Sequence, residues 1–415
     1  MADELHLSLA ALAALQPARL AVNLRSAAER SVRRGHPWVF EDSVVKVSGD
    51  PHAGDLAIIY DRKKNKLLAV GLFDPDSVIR IKVIAFNQAA RLDEEWFTEK
   101  IAVAQTKRAA LLQTETDGYR LVFGENDGLP ACVIDCYARA AVIKLYSAVW
   151  FPYLPLLVRA LRARVDLDAV VLRLSRNLQR LPAADRHELA DGMVIAGALP
   201  DPVVVFREHG LRFAADLVHG HKTGYFLDHR ANRHRIGRQA AGKTVLDVFA
   251  YAGGFSVHAL AGGATAVTSL DISGPALQSS VRNRQLNDLP AVRHHLLEAD
   301  AFAGLAELGS QRRTFDIVIV DPPAFAKKAD EVPRALTAYA RLIRLAVPLA
   351  APGGLLLAAS CSSRVDPEDF FAAVEGEITA AGRHWASEGR TAHDTDHPVT
   401  VPELAYLKTG YYRLG

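Results

Sequence analysis

The sequence predicts an α/β protein whose C-terminal part is a Rossmann-like sheet, preceded by a β-rich N-terminal domain and a central α+β domain. Three observations predict it. From about residue 200 onward, apolar runs of strand length alternate with helical patterns, and several of these runs end in an acid. Residues 20–86 hold short strands separated by turns, and the stretch between mixes strands with two long helical patterns. A chain of 415 residues is also too long for one ordinary core.

Taken in order, residues 1–19 form an Ala/Leu-rich extension, and residues 20–90 a β-domain. Its strands are Val44–Val47, Leu56–Tyr60, Leu67–Phe73 and Val78–Val83, with Ser48-Gly49-Asp50-Pro51 as a turn. Residues 91–199 begin with a helix from about Asp93 to Leu112. Strands follow at Tyr119–Phe123, Ala131–Cys136 and Ala140–Leu145, then a helix over Pro152–Arg164 and a strand at Ala169–Leu174. The final domain spans residues 200–415. Its first strand, Thr244-Val245-Leu246, is too short and too β-branched for a helix; it runs through Asp247 to the Gly253-Gly254 turn and the helical pattern Phe255–Leu260. Glycine there lets the backbone approach a ligand at the carboxyl end of a parallel strand. The second strand, Ala266–Leu270, ends in Asp271, 24 residues after Asp247, a spacing at which an acid grips ribose hydroxyls. Glu298-Ala299-Asp300-Ala301-Phe302 is placed to meet an adenine edge, Phe315–Val320 leads into Asp321-Pro322-Pro323-Ala324-Phe325, and Pro352-Gly353-Gly354 precedes the strand Leu355–Ala359.

These strand ends describe a nucleoside site. The chain lacks the G-x-G-x-x-G fingerprint of a dinucleotide and the G-x-x-x-x-G-K-[ST] loop of a triphosphate, so a cofactor without phosphates fits better. The order of acids, glycines and Asp-Pro-Pro resembles that of the class I S-adenosylmethionine-dependent methyltransferases. A Rossmann-like dehydrogenase and a non-catalytic nucleotide binder are the alternatives. The resemblance implies cofactor contacts from Asp247, Phe249, Ala250, Gly253, Asp271, Ser273, Asp300, Ala301 and Asp321.

Composition narrows the class further. Half of the residues are hydrophobic, 23% are charged and the net charge is +2, so attraction for nucleic acid has to come from local patches. Asp3 and Glu4 stand where a secretory signal carries positive charge, and no apolar run reaches membrane-spanning length, so a cytoplasmic protein without a membrane partner is expected. The three cysteines, Cys132, Cys136 and Cys361, cannot make a disulfide framework; the first two share one face of a strand and are expected in the core.

The three-part order carries a closer resemblance, to the bacterial large-subunit ribosomal RNA cytosine-C5 methyltransferases of the RlmI type, over nearly the whole chain. It rests on Arg33-Arg34-Gly35-His36-Pro37-Trp38-Val39-Phe40, on Gly124-Glu125-Asn126-Asp127-Gly128-Leu129-Pro130, on residues 220–230 and on the cofactor segments, with Ser360-Cys361-Ser362 and Asp396-His397-Pro398 also fitting. It implies an N-terminal PUA domain, ribosomal RNA as partner and S-adenosylmethionine as cofactor. It also gives Tyr225, Phe226 and Asp228 a place along the cofactor pocket, with His229 where the family usually carries Gln. A homodimer remains open.

Methylating C5 of a pyrimidine needs a nucleophile, because that carbon does not attack a sulfonium methyl unaided. Cys361 follows the apolar strand Leu355–Ala359 between two serines, at the edge where such sheets place their active sites; the bland alternative is a small buried hydrophobe. Its thiolate needs a cationic or hydrogen-bonding neighbour, for which Arg364, Lys327 and Lys328 are candidates. Asp321, beside two prolines, is suited to orient the ring or handle a proton, with Phe325 suited to hold a planar base; a solvated turn aspartate is the alternative. Asp-Pro-Pro-Ala-Phe also looks like the motif by which exocyclic-amino methyltransferases grip a base, and related PUA-bearing enzymes methylate guanine. Cys361 tips the reading toward cytosine C5.

Residues 220–238 carry Lys222, Arg230, Arg233, Arg235 and Arg238 against Asp228 alone, which suggests phosphate contact. His219, His221, His229 and His234 lie among them without the Cys or carboxylate cluster of a metal site, so no metal is expected. Arg33, Arg34, His36 and Trp38 mix cations with an aromatic that could stack on a base or belong to the core. A cytosine in a paired region has to be exposed before Cys361 reaches C6. Asp396-His397-Pro398 reads either as a capped turn or as part of an RNA cleft.

Overall fold

The computed structural model describes residues 7–61 and 66–415; Asp3 and Glu4 lie outside the described residues. The chain divides into two compact units. The first comprises Met1–Arg207, Ala215–Leu227 and Thr395–Val401, the second Glu208–Ala214, Asp228–Asp394 and Pro402–Gly415.

Among the described residues, two sheets lie wholly within the first unit. One has six strands in the order Trp38–Phe40, Ile79–Phe86, Leu67–Phe73, Leu56–Tyr60, Arg19–Leu24, Val44–Val47. Its pairs are antiparallel except Arg19–Leu24 with Leu56–Tyr60. Two of these strands escape the sequence reading. Arg19–Leu24 alternates exposed and buried residues but merges into the Ala/Leu-rich start, and Trp38–Phe40 has only three residues. The other sheet has five strands in the order Met193–Gly197, Ala169–Leu174, Ala140–Leu145, Cys132–Tyr137, Gly118–Phe123. The helix Glu94–Leu112 starts where the Asp93 side chain accepts the Trp96 N–H, and it buries Phe97, Ile101 and Ala104 in a core shared with Trp150 and Leu157. Cys132 and Cys136 are wholly buried there, and burial pushes both thiols up, Cys136 to about 12.

In the second unit the strands are β1 (Thr244–Val248), β2 (Ala266–Asp271), β3 (His294–Glu298), β4 (Phe315–Val320), β5 (Ala350–Ser360), β6 (Trp385–Thr391) and β7 (Lys408–Leu414), joined in the order 3-2-1-4-5-7-6. β1 to β5 run parallel, and β7 enters antiparallel between β5 and β6. The central strands are apolar on both faces because helices cover both. Leu246, Val248, Val318, Val320, Leu356 and Ala358 point to one side, against α4 (Ala301–Ser310), α5 (Val332–Ala346) and α6 (Pro367–Ala380). Val245, Ile317, Ile319, Leu355 and Leu357 point to the other, against α1 (Arg230–Gln239) and α2 (Gly254–Ala261). Each parallel connection returns the chain to the same edge, so the carboxyl ends of β1 to β5 line up.

One buried charge cluster supports this layer. Glu208 accepts two bonds from the Arg233 guanidinium, at 2.7 and 2.6 Å, and lies 2.9 Å from Nε2 of His258, with all three side chains nearly inaccessible. Burial alone would raise the Glu208 carboxyl, but Arg233 and His258 outweigh it and hold it well below the usual carboxylate range. Removing Glu208 leaves the Arg233 guanidinium charged and dry. Glu208→Ala is therefore expected to cost about 3–5 kcal/mol in urea unfolding, with Glu208→Gln losing less; equal stability of Glu208→Ala and the wild type would show that the cluster contributes nothing.

Candidate active site

Five strand ends of the second unit supply the site. Asp247 is the penultimate residue of β1 and is wholly buried; its Oδ2 accepts from the Ser256 N–H at 3.1 Å and the Ser256 hydroxyl at 2.6 Å. Ser256 Oγ lies 2.7 Å from Ser269 Oγ, which in turn lies 2.8 Å from His294 Nε2, a polar chain through the sheet. Burial pushes the Asp247 carboxyl up to about 7 despite the serine bonds, with the Asp321 and Asp271 charges adding to the rise.

After β1 the chain makes a strained turn. Phe249 and Tyr251 both sit at positive φ, +65° and +49°, a conformation side-chain-bearing residues rarely adopt. The Leu270 carbonyl holds the turn by accepting the Phe249 and Ala250 N–H groups at 2.9 and 3.1 Å. Asp271 Oδ2 accepts the Tyr251 N–H at 2.8 Å, and Oδ1 the Ser273 N–H at 2.8 Å. Gly253, φ +73°, then starts α2, and a Cβ there would lie 2.5 Å from Ser280 Cβ, so only glycine fits. Two residues beyond β3, Asp300 caps α4 through Oδ1, which accepts from Phe302 N and Ala303 N, and Ala301 is the buried first residue of that helix.

The donor set suits a nucleoside. Each Asp271 oxygen spends one lone pair on a backbone N–H and keeps another for a ribose hydroxyl. Asp300 is exposed and accepting, as an exocyclic adenine amine requires.

Between β4 and β5 the structure joins the two residues expected to act on a base. Asp321 follows β4 and Cys361 follows β5. The Cys361 thiol lies 3.8 Å from the Pro322 carbonyl oxygen, and the Ser362 hydroxyl donates to the Ala326 carbonyl at 2.7 Å, so the Asp-Pro-Pro loop and the Ser-Cys-Ser turn are tied together. Cys361 is partly exposed, unlike the other two cysteines. Phe325 packs on Tyr339 at 5.0 Å, and the Tyr339 hydroxyl bonds Ser360 Oγ at 2.9 Å, so part of the expected base-holding ring surface is taken internally. His229 is buried with Nε2 3.2 Å from Asp321 Oδ1 and Nδ1 3.0 Å from the Asn232 amide nitrogen. Burial opposes its protonation, but the Asp321 carboxylate, helped by Asp228, raises its pKa on balance. Nothing local in the sequence points to this contact, because Asp321 lies 92 residues beyond His229.

Comparison with known proteins places the chain in a family. The S-adenosylmethionine-dependent methyltransferase family profile matches residues 195–400, and a PUA-like domain profile matches residues 22–86. The ribosomal RNA large subunit methyltransferase of Deinococcus radiodurans is 42% identical over 401 residues, 95% of this chain and 98% of its own length. The ribosomal RNA large subunit methyltransferase I of Klebsiella pneumoniae (strain 342) is 36% identical over 92% of this chain and 94% of its own. The chain belongs to this methyltransferase family. A solved structure from Streptococcus mutans, described as a SAM-dependent methyltransferase, superposes with a TM-score of 0.79 at 22% identity, covering 95% of this chain and 99% of its own; at that identity the likeness speaks for the fold. The cofactor of this family member is S-adenosylmethionine, and the α/β architecture with a PUA-like N-terminal domain is the one its sequence predicts.

Several charges assigned to RNA are placed otherwise. Arg230 and Arg233 are buried, Arg230 2.7 Å from Asp394 and Arg233 on Glu208, so the expectation that they meet phosphate is corrected: their guanidinium groups are used inside the unit. Arg235 lies over the Tyr411 ring at 3.7 Å and donates to the Glu388 carbonyl. In the first unit Lys222 is exposed, its ammonium 4.6 Å from the Phe226 ring centre, whereas Tyr225 is buried against Phe206. Asp228, in the second unit, accepts from the Tyr406 hydroxyl at 2.8 Å. Arg33 pairs with Asp61 yet stays half exposed, Arg34 is exposed and His36 is partly so. Trp38 is half-buried, with its indole N–H donated to Glu125 at 2.9 Å, which suits neither extreme of the earlier alternatives. Asp396 and His397 are buried in the first unit: Asp396 accepts the Arg120 N–H through Oδ2 and an Arg108 N–H through its carbonyl, both at 2.9 Å, so this segment is an internal polar brace. Among the described residues no cluster of His, Cys, Asp and Glu could hold a metal, and no helix is long and apolar enough to cross a membrane.

The raised Asp247 carboxyl gives a pH test. Its folded value lies above that of the unfolded chain, so this group binds more protons in the native state between about pH 4 and 7 and removes stability as pH rises through that window. Asp247→Asn keeps an acceptor for Ser256 without the charge. Urea unfolding at pH 5 and pH 8 is expected to show a smaller alkaline loss for Asp247→Asn than for the wild type, by a few kcal/mol; parallel losses would contradict the raised carboxyl.

Proposed function

We propose that this enzyme methylates carbon 5 of a cytosine in large-subunit ribosomal RNA, through a covalent adduct between Cys361 and C6 of the ring. The observation that carries the reading is the meeting of a partly exposed thiol with the Asp-Pro-Pro loop, at the same sheet edge as a carboxylate set suited to the cofactor nucleoside. The substrate class comes from the names of the relatives.

Asp271 takes the ribose hydroxyls, Asp300 the adenine edge, and Gly253 lets the backbone approach. S-adenosylmethionine supplies an electrophilic methyl group. The Cys361 thiolate adds to C6, forming an S–C6 bond and moving the C5–C6 π pair toward C5, which then carries the nucleophilic density. Once C5 has gained the methyl, a base removes its proton, the pair re-forms the double bond and the S–C6 bond breaks, restoring the thiolate. Asp321, held by the prolines and His229, supplies the carboxylate beside the ring. The partly exposed cations Arg33, Arg34 and Lys222 are left for phosphates. A second reading, methylation of an exocyclic amine or a guanine nitrogen, is favoured by the Asp-Pro-Pro-Ala-Phe loop and needs no thiolate.

Methyl transfer from labelled S-adenosylmethionine to unmodified large-subunit RNA, followed by nucleoside analysis, separates the two. The wild type is expected to yield 5-methylcytidine, and Cys361→Ala to lose at least about a thousandfold in rate while binding cofactor normally. An active Cys361→Ala, or a methylated purine as product, would establish the second reading.

A further inference from the structure

Two lysines are buried among the described residues, Lys82 and Lys408. A buried ammonium needs a counter-charge, because carbonyl dipoles solvate it without neutralising it. Lys82 has one: Asp74 lies 2.6 Å from its Nζ. Among the described residues Lys408 has no ion pair with a carboxylate. It opens β7, where its backbone is paired with Ser360, and its Nζ donates to the carbonyl oxygens of Ser362 at 2.6 Å and Val365 at 2.8 Å. Those attachments bracket Cys361 in sequence, from the residue before it to the residue after it. The ammonium is thus held by the turn that carries the thiol.

The groups that act on Lys408 electrostatically are few. Burial lowers its pKa to about 8, while the sulfur of Cys361 and, to a smaller extent, the Asp366 carboxylate that caps α6 act in the opposite sense. Tyr339 and Asp321 are the other titratable groups on the Cys361 side, and burial raises the Tyr339 hydroxyl, keeping it neutral. Lys327, Lys328 and Arg364, the cations nearest in sequence or at the neighbouring strand end, are exposed, so water screens them.

We propose that Lys408 is the counter-ion of the Cys361 thiolate, a positioning residue that keeps the sulfur ionised for addition to the ring. This rests on the reading of Cys361 as the nucleophile. The thiol proton passes to water, and no oxidant or further reactant is involved. A cation in this place does for the thiol what a histidine does in other cysteine enzymes, without itself exchanging a proton in the reaction.

The test is the pH dependence of iodoacetamide alkylation of Cys361 in the full chain without RNA, read on the Cys361 peptide, since Cys132 and Cys136 are buried. The wild-type midpoint is expected below the ordinary thiol value of about 8.5. In Lys408→Met it is expected to rise by about 1–3 pH units, and in Lys408→Arg, which keeps the charge, to stay near the wild type. A wild-type midpoint at or above the ordinary value, or a folded Lys408→Met with an unshifted midpoint, would overturn the proposal. If Lys408→Met does not fold, Lys408→Gln, which keeps donors for the Ser362 and Val365 carbonyls without the charge, is read in its place, with the same rise expected. Alkylation needs neither substrate nor turnover, so failure here leaves the Cys361→Ala result standing, and an active Cys361→Ala would remove the nucleophile while this titration still reported the charge of Lys408.

Discussion

The turn from residue 249 to 253 is the constraint on which the site depends. Two residues with side chains, Phe249 and Tyr251, take left-handed backbone conformations, which cost free energy that only surrounding bonds can offset. Those bonds come from the neighbouring strand: the Leu270 carbonyl takes two N–H groups and the Asp271 carboxylate a third. The carboxylate suited to a ribose is therefore also the one that shapes the loop the nucleoside would lie against. Loop and acid cannot drift independently. Ser256, one turn into α2, closes the arrangement by bonding Asp247 from the far side.

Most of the cofactor edge was legible in the sequence because it is local. An apolar run ending in an acid, as at Val320-Asp321 or Leu270-Asp271, states in one short segment both the strand and the group at its end. The same holds for Cys361, and for the alternation that divides Leu246 and Val248 from Val245 between two helical layers. What was not legible depends on partners far away in the chain. Arg230 and Arg233 looked like a basic patch because nothing near them reveals that Asp394 and Glu208 await them in a closed interior. Lys408 lies 47 residues beyond Cys361 and reaches it only through the register of two antiparallel strands.

His229 shows a role that appears only in three dimensions. Its Nδ1 faces the amide nitrogen of Asn232, whose own oxygen accepts the hydroxyls of Thr391 and Tyr411 at 2.8 Å each. With those two hydroxyls donating, the amide nitrogen turns to Nδ1 of the imidazole, and Nε2 lies 3.2 Å from Asp321 Oδ1, an ion-pair distance without hydrogen-bond geometry.

The brace at Asp396 bears on how the protein is made. Arg108 has its carboxylate partner, Asp127, only 19 residues away, but the carbonyl that completes its bonding belongs to a residue 288 positions later. At about 5–20 residues per second on the ribosome, that group emerges tens of seconds after the arginine. Until then the first unit has the strands of its two sheets but lacks bonds to Arg108 and to the backbone of Arg120, and those that Thr400 and Val401 donate to Asn126. The first unit therefore cannot complete these bonds in the order in which it is synthesised.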